Sequence, residues 1–309
     1  MKTKGHTITA SCAYYEKSRQ GYYDRIRFDS QQTAFKARVL KKVYEIRKEL
    51  PKCGTRKLHY MLNQSEIKIG RDALFTLLRE RNLLIKRKRK YIRTTDSNHL
   101  LTSYENLLKE YDITRAEEVF VSDITYIRTE EGFCYLALVA DAYTKKIMGK
   151  YISKDMQTTL VLKALVEALR NKHYEGSLIH HSDHGIQYSS RTYTNALKLS
   201  DILISMAGKG KAWENPVAER IMGILKQEFG LNQRFKSFKQ AYRQTELAIR
   251  KYNTIRPHLS CGYLTPDEAH AKEKNLVNVW QRKLSTYPQK EERKKEAKKE
   301  RRKITTTTM

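Results

Sequence analysis

Ile179-His180-His181-Ser182-Asp183-His184-Gly185-Ile186-Gln187-Tyr188 is the stretch on which the reading of this chain turns. Its first residues continue the apolar Ser177-Leu178-Ile179 and read as the end of a short buried strand. Asp183 closes that strand, and Gly185 lets the chain turn away at an open edge. Two other acids are placed to join it. Asp123 ends Val119-Phe120-Val121-Ser122-Asp123, where it alternates with Val119 and Val121 and shares their side of a strand. Glu219 follows Asn215-Pro216-Val217-Ala218 at the start of a helix, Pro216 fitting its first turn. The gaps are 59 residues between the aspartates and 35 between Asp183 and Glu219. A carboxylate on an inward strand face is costly unless it is paired or binds a cation. Three such oxygen donors fit divalent metal ions of the kind that activate phosphodiester chemistry.

Outward from these acids, the chain divides by pattern. Residues 1–33 form a polar, tyrosine-rich leader, read either as loosely ordered or as a turn into a short helix. From 34 to 85, Phe35, Val39, Leu40, Val43, Tyr44, Ile46 and Leu50 recur at helical spacing. Pro51 and Gly54 punctuate, a second helix starts near Thr55, and a third runs from about Arg71 to Asn82. Three short helices with basic polar faces fit a helix-turn-helix-like DNA-binding module or a generic bundle. Lys86-Arg87-Lys88-Arg89-Lys90 opens a basic linker over 86–110, a candidate phosphate contact and the domain boundary.

The segment 111–275 is mixed. Strands are expected at Val119–Ile127, Phe133–Ala140 and Ile147–Ile152, joined by turns at Glu130-Glu131-Gly132 and Asp141–Lys146. A helix with Leu160, Val161, Ala164 and Leu165 follows, then the strand ending at Ser182, a helix over Ser190–Leu199 and a strand over Ile202–Ser205. The basic loop Gly208-Lys209-Gly210-Lys211 leads to a helix over Asn215–Phe229, and a long helix spans Phe238–Tyr252. Three antiparallel strands followed by alternating helices and strands make an α/β domain compatible with an RNase H-like core, a five-stranded mixed sheet with flanking helices. The tail, 276–309, is almost wholly Lys, Arg and Glu and reads as flexible.

Charge names the partner class. A net charge of +27 and a pI near 9.8 call for a polyanion, and nucleic acid comes first. A membrane surface is disfavoured for want of a basic amphipathic helix, and no apolar run reaches the ~18 residues of a membrane span. Cys12, Cys53, Cys134 and Cys261 lack CxxC spacing, which disfavours a structural zinc or a disulfide framework. A cytoplasmic, bacterial protein is the expectation. The histidines beside Asp183 alternate across a strand without a distant partner motif, so neighbours of a metal site (His181, His184, and Asn215 with them) are preferred to zinc ligands. Asp141 is read as a turn former, with a substitute ligand as the alternative. Trp213 is read as packed on the core, with base stacking as the alternative, and Arg256 and His258 as phosphate contacts or helix closers.

Asp123-Ile124-Thr125-Tyr126, His181-Ser182-Asp183-His184-Gly185-Ile186-Gln187-Tyr188, Asn215-Pro216-Val217-Ala218-Glu219 and Tyr252-Asn253-Thr254-Ile255-Arg256-Pro257-His258, in that order, resemble the motifs of the IS3 insertion-sequence family of DDE transposases, whose catalytic core retroviral integrases share. The departures are Phe120 where a tryptophan is common, His184 where Gln or Arg is common, Glu214 in place of Asp, and Cys53-Gly54 for Tyr-Gly upstream. The resemblance implies an integrase core acting in strand cleavage and transfer with Mg²⁺ or Mn²⁺, two ions in all. It makes Asp123, Asp183 and Glu219 the metal ligands and Lys226 a DNA contact, to which charge adds Lys209 and Lys211. It further implies a homo-oligomer on DNA and an upstream-frame helix-turn-helix protein as partner. A noncatalytic DNA-binding protein, or an RNase H-like nuclease without strand transfer, is the alternative.

Overall fold

The computed structural model describes residues 7–85, 103–273 and 276, and the chain forms two compact units, residues 1–88 and 89–309. The linker lysines and arginines Lys86 to Lys90 and the tail from 277 onward lie outside the described residues.

In the first unit, α1 (Ile8–Tyr14) leads through Ser18 into α2 (Arg19–Glu49), where the Ser18 hydroxyl accepts the Gly21 N–H at 3.0 Å as an N-cap. α2 runs unbroken through position 33, so a helix occupies the second half of the polar leader. Its residues 19–34 are all exposed. Only its second half finds a core. Val39, Val43, Ile46 and the adjoining Leu50 are buried, as are Leu58 and Leu62 of α3 (Thr55–Gln64), which packs against α2, and Leu74, Leu77 and Leu78 of α4 (Arg71–Glu80), which packs against α3. α3 and α4 are joined by a short turn ending at Gly70, the N-cap of α4, in the order of a helix-turn-helix.

The second unit is a mixed sheet between two helical layers. β1 (Val119–Thr129), β2 (Gly132–Asp141) and β3 (Ile147–Ser153) form an antiparallel meander. α5 (Thr158–Arg170) crosses to β4 (Leu178–Ser182), the one-turn α6 (Ile186–Ser189) and α7 (Arg191–Leu199) follow, and β5 (Ile202–Met206) completes the order β3-β2-β1-β4-β5. β4 lies parallel to β1, and β5 to β4. A 3₁₀ turn (Ala212–Glu214) precedes α8 (Pro216–Glu228). Next come a two-residue strand β6 (Arg234–Phe235) parallel to the far end of β1, α9 (Phe238–Thr254), a second 3₁₀ turn (Leu259–Cys261) and α10 (Pro266–Ala271). β6 is the one strand absent from the five-stranded expectation. Two residues carry no readable period.

Strand alternation decides which helix covers which face. Val119, Val121 and Ile127 of β1, with Leu136 and Leu138 of β2, pack under Ile221 and Leu225 of α8 and Ile249 and Tyr252 of α9. Phe120, Ala137 and Val139 point the other way, against Leu165 of α5 and Tyr193 and Leu197 of α7. Both faces of the sheet are covered, as the continuous apolar run of β2 requires. Gly149 of β3 allows α5 to lie close: a Cβ there would overlap the Ala164 carbonyl. Arg256, buried at 4% exposure, clasps Glu228 through Nε and Nη2 at 2.8 Å each and joins the end of α8 to the end of α9. Arg256 is thus a structural closer rather than a phosphate contact. α10 opens with a capping box between Thr265 and Glu268, as its Thr-Pro-Asp-Glu sequence foretells.

Candidate active site

The parallel pairing of β1 and β4 keeps equal register, Phe120 with His180, Val121 with His181 and Ser122 with Ser182. Asp123 is the next residue on β1, on the face of Val119 and Val121, the α8 side, and Asp183 is the first residue past the end of β4. Two acids 60 positions apart in number are therefore neighbours at one sheet edge. Burial pushes the Asp123 carboxyl well above the usual carboxylate range. The Asp183 charge adds to this, the Ile124 N–H donated to Asp123 Oδ1 at 2.8 Å opposes it, Glu219 adds a smaller push, and Lys226 opposes. A Cβ at Gly185 would come within 3.1 Å of Asp183 Oδ1, so the glycine keeps space beside that oxygen.

Glu219 is exposed on the first turn of α8, and partial burial raises its pKa. Asn215 sets where that turn begins. Its Nδ2 donates to the Ser122 carbonyl at 2.8 Å, tying the start of α8 to the strand position just before Asp123. Lys226 lies two helical turns beyond Glu219, with Nζ 4.4 Å from the centre of the Tyr126 ring. Burial lowers its pKa, while Asp123 raises it. The structure thus brings together Asp123, Asp183, Lys226 and Asn215. Glu219 stands at the rim: among the described residues no three His, Cys, Asp or Glu side chains lie close enough to hold one ion between them.

His180 and His181 of this stretch serve the frame. His180 is buried on the α7 side, where Nε2 meets Ser122 Oγ at 2.8 Å and Tyr193 Oη at 2.9 Å, and burial lowers its pKa to about 3. His181 points the other way, Nδ1 on Ser205 Oγ at 2.8 Å, and burial lowers its pKa to about 4. His184 is buried as well. Ser205 also accepts the Leu107 N–H at 3.0 Å, and Glu214 accepts from Gly208 N at 2.9 Å and Asn106 Nδ2 at 3.0 Å. This network fixes both ends of the loop carrying Lys209 and Lys211, which are exposed. Its long-range partners gave no sequence signal beyond the polar residue types. Trp213 corrects the packing expectation, since it is 68% exposed on that loop. The reason is that Glu214, not Trp213, turns inward there. Asp141 is a turn former: its carboxylate accepts from the backbone of Glu117, Tyr143 and Thr144 and from the Thr144 hydroxyl.

Two neighbouring carboxylates at the end of two parallel strands fit hard, oxygen-preferring cations, and the loop before α8 carries exposed lysines. The sequence agrees with that class: residues 95–212 and 200–266 each match the integrase core domain family. A 31 kDa protein of insertion element IS600 from Shigella sonnei is 36% identical over 82% of this chain and 95% of its own length. The transposase InsF of insertion sequence IS3A from Escherichia coli K12 is 33% identical over 65% of this chain and 69% of its own. The HTLV-2 integrase catalytic core, solved in complex with magnesium, superposes with a TM-score of 0.40 at 15% identity, over 50% of this chain and 96% of that one. This chain belongs to the insertion-sequence transposases of the IS3 family, polynucleotidyl transferases that carry an integrase core. No helix among the described residues is long and apolar enough to cross a membrane.

Proposed function

We propose that the chain cuts DNA at the ends of an insertion sequence and joins the freed 3′ ends to a target, with Asp123, Asp183 and Glu219 as the metal-binding acids. The observation that carries this reading is the register of β1 and β4. It sets two carboxylates side by side, and the Asp183 charge raises the cost of ionising Asp123. Such a pair fits divalent cations, because only a nearby positive charge makes both ionised forms affordable. Glu219, on the first turn of α8 beside this pair, would complete the donor set. Mg²⁺ or Mn²⁺, two ions in all, held by these acids would polarise the scissile phosphate, activate the attacking oxygen and stabilise the leaving one.

The chain's own groups do the rest. Asp123 and Asp183 present oxygen donors from a rigid sheet edge. Asn215 fixes the approach of α8. Lys226, next to Asp123, supplies a fixed ammonium for the phosphate oxygens. In cleavage, a water oxygen bonds to phosphorus as the P–O3′ bond breaks, leaving a 3′-hydroxyl. In joining, that hydroxyl oxygen attacks a second phosphodiester in line, and one P–O bond forms as another breaks. The buried tyrosines Tyr188 and Tyr193 are unsuited to nucleophilic attack, since burial raises both phenols. Lys209, Lys211 and Trp213, exposed on the loop before α8, line the DNA approach. The α3–α4 module and the Lys86–Lys90 run add contacts to duplex DNA. Assembly of several copies on paired ends, with an upstream-frame helix-turn-helix protein, belongs to the same proposal.

The test is cleavage and joining of labelled element-end DNA with Mg²⁺, comparing the wild type with Asp183→Asn. Products from the wild type alone, at equal DNA binding, support the assignment. Equal activity in both refutes it.

A further inference from the structure

β1 pairs with β4 only as far as Ser122 and with β6 only from Arg128, so its edge from Asp123 to Ile127 carries no neighbouring strand on that side. Lys226 reaches into this gap from α8 and ends over the Tyr126 ring. From Asp123 to Arg128 the strand covers about 17 Å.

The face beyond the gap is unusual for a sheet surface. Arg128 stands opposite Phe133 across β2 and opposite Arg234 across β6, a single row on three strands. Two arginines side by side in a ladder repel unless an anion joins them. Neither arginine makes an ion pair or side-chain hydrogen bond among the described residues. The nearby hairpin acid Glu131 is engaged with Lys154 at 3.2 Å. Phe133 is 53% exposed and takes the Tyr126 ring edge-on at 5.5 Å. Water on an exposed phenylalanine is unfavourable, and the ring offers a flat stacking surface. Tyr126, Phe133, Arg128 and Arg234 thus make a strip of cations and aromatic faces on the side of the sheet opposite Asp123, and Lys226, whose charge feels both Asp123 and Arg128, links the two sides through the gap.

We propose that this strip binds an unpaired DNA strand as it leaves the active site, with a base stacked on Phe133 and phosphates on Arg128 and Arg234. This rests on the DNA-cleaving reading of Asp123 and Asp183 and names a part of its substrate. Aromatic rings accept any base, and arginines accept any phosphate, so the strip separates paired from unpaired DNA rather than reading sequence. A paired duplex hides its base faces and would gain nothing from Phe133. Fraying at the cut end therefore becomes a requirement that the strip recognises.

The experiment measures binding of the full chain to two fluorescent DNAs in EDTA, which removes metal chemistry from the readout. One is a fully paired end and the other the same end with a short single-stranded extension. Phe133→Ala lowers affinity for the extended DNA by about 5- to 100-fold and leaves the paired DNA unchanged. Phe133→Trp keeps or raises the preference. Arg128→Gln and Arg234→Gln each reduce the salt slope for the extended DNA by about one. These are exposed positions, and unchanged circular dichroism verifies the fold of each variant. An equal loss on both DNAs overturns the unpaired-strand assignment, and no loss on either overturns the strip as a binding site. A wild type that binds neither DNA overturns the DNA-cleaving reading along with it. Loss of cleavage in Asp183→Asn with the strip's preference intact separates the two.

Discussion

The two ends of the central sheet bury carboxylates in opposite ways. At one end Asp141 is fully buried and accepts from three backbone amides and the Thr144 hydroxyl, while Glu117, also buried, accepts from the His173 and Tyr174 amides and meets His270 Nε2 at 3.1 Å. At the other end Asp123 accepts a single backbone N–H and faces Asp183. The same residue type does two jobs, and the count of donors separates them. Where the backbone supplies the hydrogen bonds, the acid is part of the frame. Where Asp123 meets a second acid and only one backbone donor, the arrangement fits the cation site proposed above.

That contrast can be broken most sharply by exchanging charge for amide at each end. Asp183→Asn or Asp123→Asn lowers the rate of strand cleavage by about 10³-fold or more, with folding and DNA binding retained, measured by product formation on labelled ends. Asp141→Asn acts on folding instead. It leaves backbone donors facing an amide nitrogen and lowers stability by about 2–4 kcal/mol, read from the denaturant midpoint.

A smaller effect has the opposite sign. Asp123 carries a pKa raised above its unfolded value, so its contribution to stability is fully present below the ordinary carboxylate range and is lost as pH rises through the raised value. At neutral pH without metal, Asp183→Asn removes the like charge and raises the melting temperature. Asp141→Asn lowers it under the same conditions. Equal shifts in one direction would erase the distinction between the ends.

The smallest effect concerns the frame behind the aspartates. His180 is held neutral among Ser122, Tyr188, Tyr193 and His181, with its pKa lowered to about 3. Its folded pKa lies below the unfolded one, so its stabilisation is present above about pH 6.5 and is lost as pH falls toward 3. Each pH unit in that window costs about 1.4 kcal/mol for this group. His180→Asn flattens the acid limb of the stability curve while leaving the metal response intact, which chemical denaturation at several pH values would reveal.

Much of this was legible from residue patterns. The apolar alternation of Val119, Val121 and Asp123 identified both the strand and the side on which the acid falls, and the run Phe133–Ala140 marked a strand covered on both faces. Pro216 announced a helix start that the structure places at that position. What stayed hidden depends on distance in the chain. The Ser122–His180–Tyr193 and His181–Ser205–Leu107 links join residues whose partners no local period can name. β6 is too short to show alternation, yet it brings Arg234 beside Arg128 and so creates the basic strip. Trp213 was read as packed because tryptophan usually is, whereas Glu214 holds the loop and leaves the indole outside. The stand-off of Glu219 from the aspartates depends on how α8 leaves Asn215, a matter of tertiary geometry rather than spacing.

The most direct test of the central claim is calorimetric titration of Mn²⁺ into the metal-free protein at a series of pH values above the ordinary carboxylate range, in two buffers of different ionisation enthalpy. The paired acids predict saturable binding accompanied by proton release, because a carboxyl held above its usual range must give up its proton to bind the ion. Binding and proton release should both disappear in Asp123→Asn and weaken in Glu219→Gln. Undiminished binding in Asp123→Asn would contradict the account.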